Sequence, residues 1–229
     1  PIVNNVVIMP DREKRLEAFV RIAHATVVFP GGVGTAEEIL YLLGILLHPA
    51  NDGVPFPLIF TGPVESKAYF EQIDTFLRLA LGDKVAQRYR IVVGDPREVA
   101  HQVRRGIERV RGYRLDNKDA FFFNWALHVE REFQVPFVPT HQAMSALNLH
   151  RAQEPHRFAA DLRRAFSGIV AGNVKEDGMR AIEKHGPFEI DGDRDVMQAL
   201  DALLASFVVQ QRMKLPGSTY VPCYRIRGA

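Results

Sequence analysis

The sequence predicts an α/β fold: a parallel sheet covered by helices in the first half, followed by a mainly helical second half. Short apolar runs alternate with helix-period patterns up to about residue 111, the order expected of strands joined by crossover helices. A glycine-rich turn, Pro30-Gly31-Gly32-Val33-Gly34-Thr35, joins the end of one such run to an apolar helix. After Tyr113 the short runs give way to longer helical stretches. The 229 residues, 47% apolar and 24% charged, suffice for one large or two small cores.

The first apolar run, near residues 2–9, contains Ile2-Val3 and Val6-Val7-Ile8 and predicts a buried strand. Nothing precedes it to pair with, so the chain is expected to be a piece of a longer protein. A helix from about Asp11 to His24 follows, with Leu16, Phe19, Val20 and Ala23 at helical spacing. Thr26-Val27-Val28-Phe29 is short and β-branched and predicts the second strand, which ends at Pro30. Beyond the glycine turn comes a helix from Ile39 to Leu47. A loop over 49–57 leads to a third strand at Leu58-Ile59-Phe60, then a helix holding Tyr69, Phe70, Ile73, Phe76 and Leu77. A fourth strand, Ile91-Val92-Val93, precedes a basic helix from about Pro96 to Arg111. Helices are expected over about 155–170 and 195–213, with loops at Pro136–Pro139, Gly172–Gly178 and Gly186–Gly192. The change of pattern predicts two units, residues 1–114 and 115–229.

Several function classes find no support. No run approaches the roughly 18 apolar residues of a membrane span, and the first residues lack the order of a signal peptide. Cys223 is the one cysteine, so no internal disulfide forms, and a cytoplasmic location is expected. The formal charge of +2 does not argue for nucleic acid. The basic helix with Arg97, Arg104, Arg105, Arg109 and Arg111 lacks interleaved aromatics and reads first as a solvated face or subunit contact. The eight histidines show no ligand spacing, so no metal is expected. Asp191-Gly192-Asp193-Arg194-Asp195 lacks the glycine and final glutamate of a calcium loop and reads as a turn and helix cap. Phe121-Phe122-Phe123-Asn124-Trp125 reads as core or subunit interface before base stacking.

The glycine turn carries the chemistry. Between a strand and a helix it offers unpaired backbone N–H groups and the positive end of a helix dipole, which suits a phosphate. Gly31, Gly32 and Gly34 allow close approach, and Thr35 adds a hydroxyl and a helix cap. The turn lacks the Gly-Lys-Ser/Thr ending of a P-loop and the spacing of a dinucleotide fingerprint. Glu37 and Glu38 follow, pointing roughly 100° apart. Glu38, three residues after Thr35, shares its side of the helix; a carboxylate tolerated beside a phosphate implies a task.

Pro30 to Glu38 match without exception the Pro-Gly-Gly-x-Gly-Thr-x-x-Glu signature of the Lonely Guy (LOG) phosphoribohydrolase family, and residues 1–111 resemble that family. Arg15 stands about where the family carries its catalytic arginine, with Arg12 as the alternative. The context and the second unit resemble the bacterial pyrimidine/purine nucleotide 5′-monophosphate nucleosidase type. The resemblance implies the second half of a Rossmann-like domain, the family's first glycine-rich segment being absent from these residues. It also implies hydrolysis of the N-glycosidic bond of nucleoside 5′-monophosphates, giving free base and ribose 5-phosphate. Gly31, Gly32, Val33, Gly34 and Thr35 would hold the substrate, and Glu38 and Arg15 would be catalytic. It implies no cofactor, a homo-oligomer, and guanosine tetra- or pentaphosphate as an effector. A different class, a Rossmann-like carrier similar to molybdenum cofactor carrier proteins, would need neither Glu38 nor Arg15. A decarboxylase would need pyridoxal phosphate on a lysine, and none sits in or just after the turn.

Overall fold

The computed structural model describes residues 5–120, 122–214 and 220–227. In chain order the elements are α1 (Arg12–Ile22), β1 (Thr26–Val28), α2 (Val33–Leu46), β2 (Leu58–Gly62), α3 (Lys67–Leu81), β3 (Arg90–Val93), α4 (Pro96–Asp116), α5 (His141–Ser145), α6 (Pro155–Val174), α7 (Glu176–His185), β4 (Phe188–Ile190), α8 (Arg194–Val209) and β5 (Tyr224–Ile226). Among the described residues no helix is long and apolar enough to cross a membrane.

β1, β2 and β3 form a parallel sheet in that order, with Thr26 opposite Leu58 and Ile59 opposite Arg90. Each connection runs through a helix, as parallel pairing requires. β2 is central and buries Leu58, Ile59 and Phe60, so its residues are apolar on both faces. Phe60 stacks on Phe70 of α3 and on Tyr89 beside β3, with ring centroids 5.8 and 4.7 Å away.

The expected first strand is corrected where it can be seen. Residues 1–4 lie outside the described residues, and 5–9 take no regular structure, leaving Val6, Val7 and Ile8 exposed. A strand needs a neighbour to accept its ladder bonds, and none of the described strands pairs with these residues.

In the second half, α6 lies along α2 and α8 along α3. α2 is therefore covered on almost every side, burying Ile39, Leu40, Tyr41, Leu43, Ile45 and Leu46. α6 contributes Phe158, Leu162, Phe166 and Ile169 from one face. Phe76 meets Phe166 and Tyr69 meets Phe207 at 5.8 and 5.9 Å. The buried residues on either side of residue 115 form a single cluster, and α4 itself runs through that position.

Two expected loops are not loops. α6 continues to Val174 and only Lys175 interrupts it before α7. The glycines read as breakers are close-packing positions: a Cβ on Gly172 would overlap the Cys223 thiol, and one on Gly178 the Ala171 carbonyl. Cys223 is buried, with its thiol pushed up to about 12 by that burial. Residues 188–190 form β4, which pairs in parallel with β5 and buries Phe188 and Ile190 about an exposed Glu189. α8 stops at Val209, short of the expected 213, because Gln211 adopts a left-handed φ of 54° and turns the chain back.

Of the aromatic cluster, expected as core or subunit interface, Phe122, Phe123 and Trp125 are exposed, which excludes them from the core and leaves the interface reading, while Asn124 is the buried member; Phe121 lies outside the described residues. The Asn124 amide donates to Val20 O and Ala23 O at 2.6 and 2.7 Å, and its carbonyl accepts from the Arg114 guanidinium. Those bonds tie the segment across the end of α1 and turn its rings outward.

Gly44 sits in the middle of α2, where a Cβ would overlap the ring of the buried Phe133. Gly44→Ala is expected to destabilise the protein by about 1–3 kcal/mol through overpacking, although alanine is the better helix former by about 1 kcal/mol. Urea denaturation measures it, and a stabilised variant would show that Phe133 moves aside freely.

Candidate active site

The turn after β1 leads into α2 earlier than the sequence implies. The helix starts at Val33, its N-cap is Gly32 rather than Thr35, and the cap has no side-chain bond. Thr35 N–H and Ala36 N–H both close back on Gly32 O at 3.0 and 3.1 Å. The preceding first-turn N–H groups, of Val33 and Gly34, come before any intrahelical acceptor, which is what makes a helix start an anion site. The Val33 side chain points into the core.

The three glycines have different reasons. A Cβ on Gly31 would overlap Thr35 Oγ1, and one on Gly32 would overlap the backbone carbonyl of Arg212. These two are required by the protein's own packing. Only Gly34 faces open space, where the absence of a side chain leaves room for a ligand. Gly31 N–H donates to Tyr69 Oη at 3.2 Å, and the Arg212 guanidinium lies 5.1 Å from the centre of the Tyr69 ring.

With the helix starting at Val33, both glutamates fall in its second turn, where the dipole no longer explains them. Their surroundings divide them. The Glu37 side chain is 0% exposed; its carboxylate accepts from Arg12 Nη1 at 2.5 Å and stands 3.8 Å from Arg163 Nη1. Arg163, also 0% exposed, donates to Glu13 at 2.9 Å, and Arg12 Nη2 donates to Ser167 Oγ at 2.7 Å. Burial pushes the Glu37 carboxyl above its ordinary value, and the Arg12 and Arg163 charges pull it back. Glu37 thus belongs to a four-residue ion network joining α1, α2 and α6.

Glu38 is 44% exposed and its nearest cation is Arg15, 51% exposed, with Nη2 3.6 Å from Oε1. Arg15 therefore stands beside Glu38, while Arg12 is engaged by Glu37. Both arginines come from α1, whose start is capped by Asp11 accepting from Lys14 N. Three residues apart, they reach different members of the adjacent glutamate pair.

Thr35 and Glu38 line two cavities at once. One, of about 240 Å³, is mostly apolar and reaches Phe19, Val20, Ile39 and the β1 residues Thr26 to Val28. The other, of about 360 Å³, runs along Gly32, Val33 and Gly34 to Asn173, Arg212 and Lys214. An apolar recess and a cationic, glycine-lined recess meeting at one carboxylate suit a ligand with a flat apolar end and an anionic end. Asn173, Arg212 and Lys214 carried no sequence signal, and Tyr69 only that of a core position. They reach the turn from α3, α6 and the segment after α8, at separations no local motif spans.

The two ion pairs should separate on mutation. Arg12→Met leaves Glu37 buried without its main partner and is expected to cost about 3–5 kcal/mol of stability, whereas Arg15→Met at the exposed pair is expected to cost less than about 1 kcal/mol. Chemical denaturation of both variants tests this, and equal losses would contradict the division into buried network and exposed site pair.

A family model described as "Pyrimidine/purine nucleotide monophosphate nucleosidase, C-terminal" matches residues 107–227, and one described as "Possible lysine decarboxylase" matches residues 1–103. Proteins named pyrimidine/purine nucleotide 5′-monophosphate nucleosidase from Escherichia coli strain K12 and from Escherichia coli O157:H7 are each 55% identical over 226 residues, covering 99% of this chain. The chain spans about half the length of these curated relatives, 50% in each case. The first model reaches across more than half of the chain, so the chain belongs to the pyrimidine/purine nucleotide monophosphate nucleosidase family.

Proposed function

We propose that the protein hydrolyses the N-glycosidic bond of nucleoside 5′-monophosphates, purine or pyrimidine, to free base and ribose 5-phosphate. The observation that carries this reading is the exposed Glu38–Arg15 pair at the junction of the glycine-lined and apolar cavities. Family membership and the names of the relatives support the same reaction.

In this reading the substrate phosphate lies at the start of α2, against Gly31, Gly32, Val33, Gly34 and Thr35. The Tyr69 hydroxyl, which already accepts from Gly31 N–H, keeps its own proton to donate to a phosphate oxygen. The base enters the apolar recess, which places the ribose beside Glu38. Glu38 takes a proton from water as the water oxygen attacks the anomeric carbon, the N-glycosidic bond breaks with its electron pair going to the base, and the proton then passes from Glu38 through solvent to the base, which leaves neutral. Arg15 orients Glu38 and stabilises the charge that develops. Residues 1–114 act as the catalytic unit and 115–229 as an accessory unit whose α6 braces α2. A cytoplasmic homo-oligomer and an effector site for guanosine tetra- or pentaphosphate complete the proposal and rest on the resemblance.

Release of base and ribose 5-phosphate from a panel of nucleoside monophosphates, followed by chromatography on the full-length protein, tests it. Glu38→Ala is expected to lower turnover at least ~100-fold while nucleotide binding persists. Wild-type protein that binds the nucleotides and leaves them intact would transfer the site to the carrier reading.

A further inference from the structure

Sequence spacing gives the histidines no metal signature, yet folding gathers three of them around one carboxylate. His48 lies just beyond the C-terminal end of α2, His128 and Glu130 in the segment that follows Asn124, and His156 in the first turn of α6. His48 Nε2 is 3.3 Å from Glu130 Oε1, and His156 Nε2 is 3.8 Å from Glu130 Oε2. The ring centres of His128 and His156 lie 4.4 and 4.7 Å from that of His48. Potential ligand atoms of His48, His128 and Glu130 all fall within 4.8 Å of one another.

Two features mark this as more than a chance grouping. Glu130 Oε2 and His156 Nδ1 are buried with no hydrogen-bond partner among the described residues, and His156 is only 5% exposed. Such atoms are costly unless something completes them. The frame is also held from beneath: the buried Asn51 side chain donates to Ile45 O and His128 O and accepts from His128 N, each at 2.7 Å. That clamp fixes the His128 backbone to the end of α2 before any ligand arrives.

We propose that His48, His128, His156 and Glu130 form a structural site for a divalent transition metal, with zinc the ion whose ligand preferences they match. Imidazoles and a carboxylate are ordinary zinc ligands at about 2.0–2.2 Å, which puts tetrahedral ligand atoms roughly 3.3 Å apart. The contacts of Glu130 with His48 and His156, at 3.3 and 3.8 Å, are already near that spacing. His48 Nδ1 accepts from Ala50 N–H at 3.1 Å, so its proton sits on Nε2. Metal binding through Nε2 moves that proton to Nδ1, and the exposed Ala50 N–H turns to water. The site lies at the opposite end of α2 from the glycine turn; its 14 residues span about 20 Å at roughly 1.5 Å each. Its role is to clasp the start of α6 and the 128–130 segment to α2.

The test is titration of EDTA-treated, full-length protein with Co²⁺ and then Zn²⁺. One equivalent of Co²⁺ per chain with the visible spectrum of a four-coordinate site is expected, displaced by Zn²⁺, with a higher melting temperature in Zn²⁺. His128→Ala, at an exposed position, and Glu130→Gln should each weaken uptake at least ~10-fold, with circular dichroism confirming the fold, while His141→Ala at the separate His141–His185 pair should bind as the wild type does. Folded wild-type protein that takes up no stoichiometric metal, or uptake that is unchanged in His128→Ala and Glu130→Gln, overturns the proposal. Neither readout depends on base release, so the outcome is independent of the proposed reaction.

Discussion

The buried contact of Glu37 with Arg12 and Arg163 is the constraint on which the arrangement of this protein depends. A carboxylate and a guanidinium with no exposure at all are stable only when their charges are answered inside the protein, because desolvation alone costs several kcal/mol per ion. The answer here is distributed: Arg12 and Glu13 from α1, Glu37 from α2, and Arg163 and Ser167 from α6. Two neighbouring helices and a third from the far half of the chain must therefore meet at one place and in one rotation. Apolar packing of α2 against α6 would tolerate some sliding; matched buried charges do not.

That rotation is what presents the candidate site. Consecutive helical residues point about 100° apart, so turning Glu37 into the network turns Glu38 outward. The same logic runs along α1, where Arg12 enters the network and Arg15, one turn on, faces Glu38 at 3.6 Å. The exposed pair inherits its alignment from the buried one. Arg163 and Ser167 lie in the second half of the chain, so the carboxylate of the first half is oriented by residues of the second. The Arg212 carbonyl against Gly32 and the Tyr69 hydroxyl against Gly31 N–H make the same connection at the glycine turn.

Most of the α/β half was legible because its signals are local. Short apolar or β-branched runs at 26–28, 58–60 and 91–93 mark the three strands, of which the central 58–60 run is the buried one, and the spacing of Tyr69, Phe70, Ile73, Phe76 and Leu77 marks the buried face of α3. What failed to read was decided by partners. Residues 5–9 have strand composition but no paired neighbour among the described strands. Gly172 and Gly178 resemble breakers and instead admit close helix contacts. β4 and β5, three residues each, are too short for periodicity to register. The outward turn of Phe122, Phe123 and Trp125 follows from one buried amide, Asn124, whose partners lie about a hundred residues away.

By itself the sequence determined the α/β order and the glycine turn that starts α2 and singled out Glu38, since each follows from composition and spacing within a few turns of chain; Arg15 was pointed to only by the resemblance to a known family. Tertiary structure alone decided which glutamate is buried, why Gly31 and Gly32 carry no side chain, and how His48, His128, Glu130 and His156 come together. Apart from the local contact of Gly31 with Thr35, these depend on contacts across some twenty to nearly two hundred positions, and charge burial, steric exclusion and side-chain convergence over that range exist only once the helices have packed.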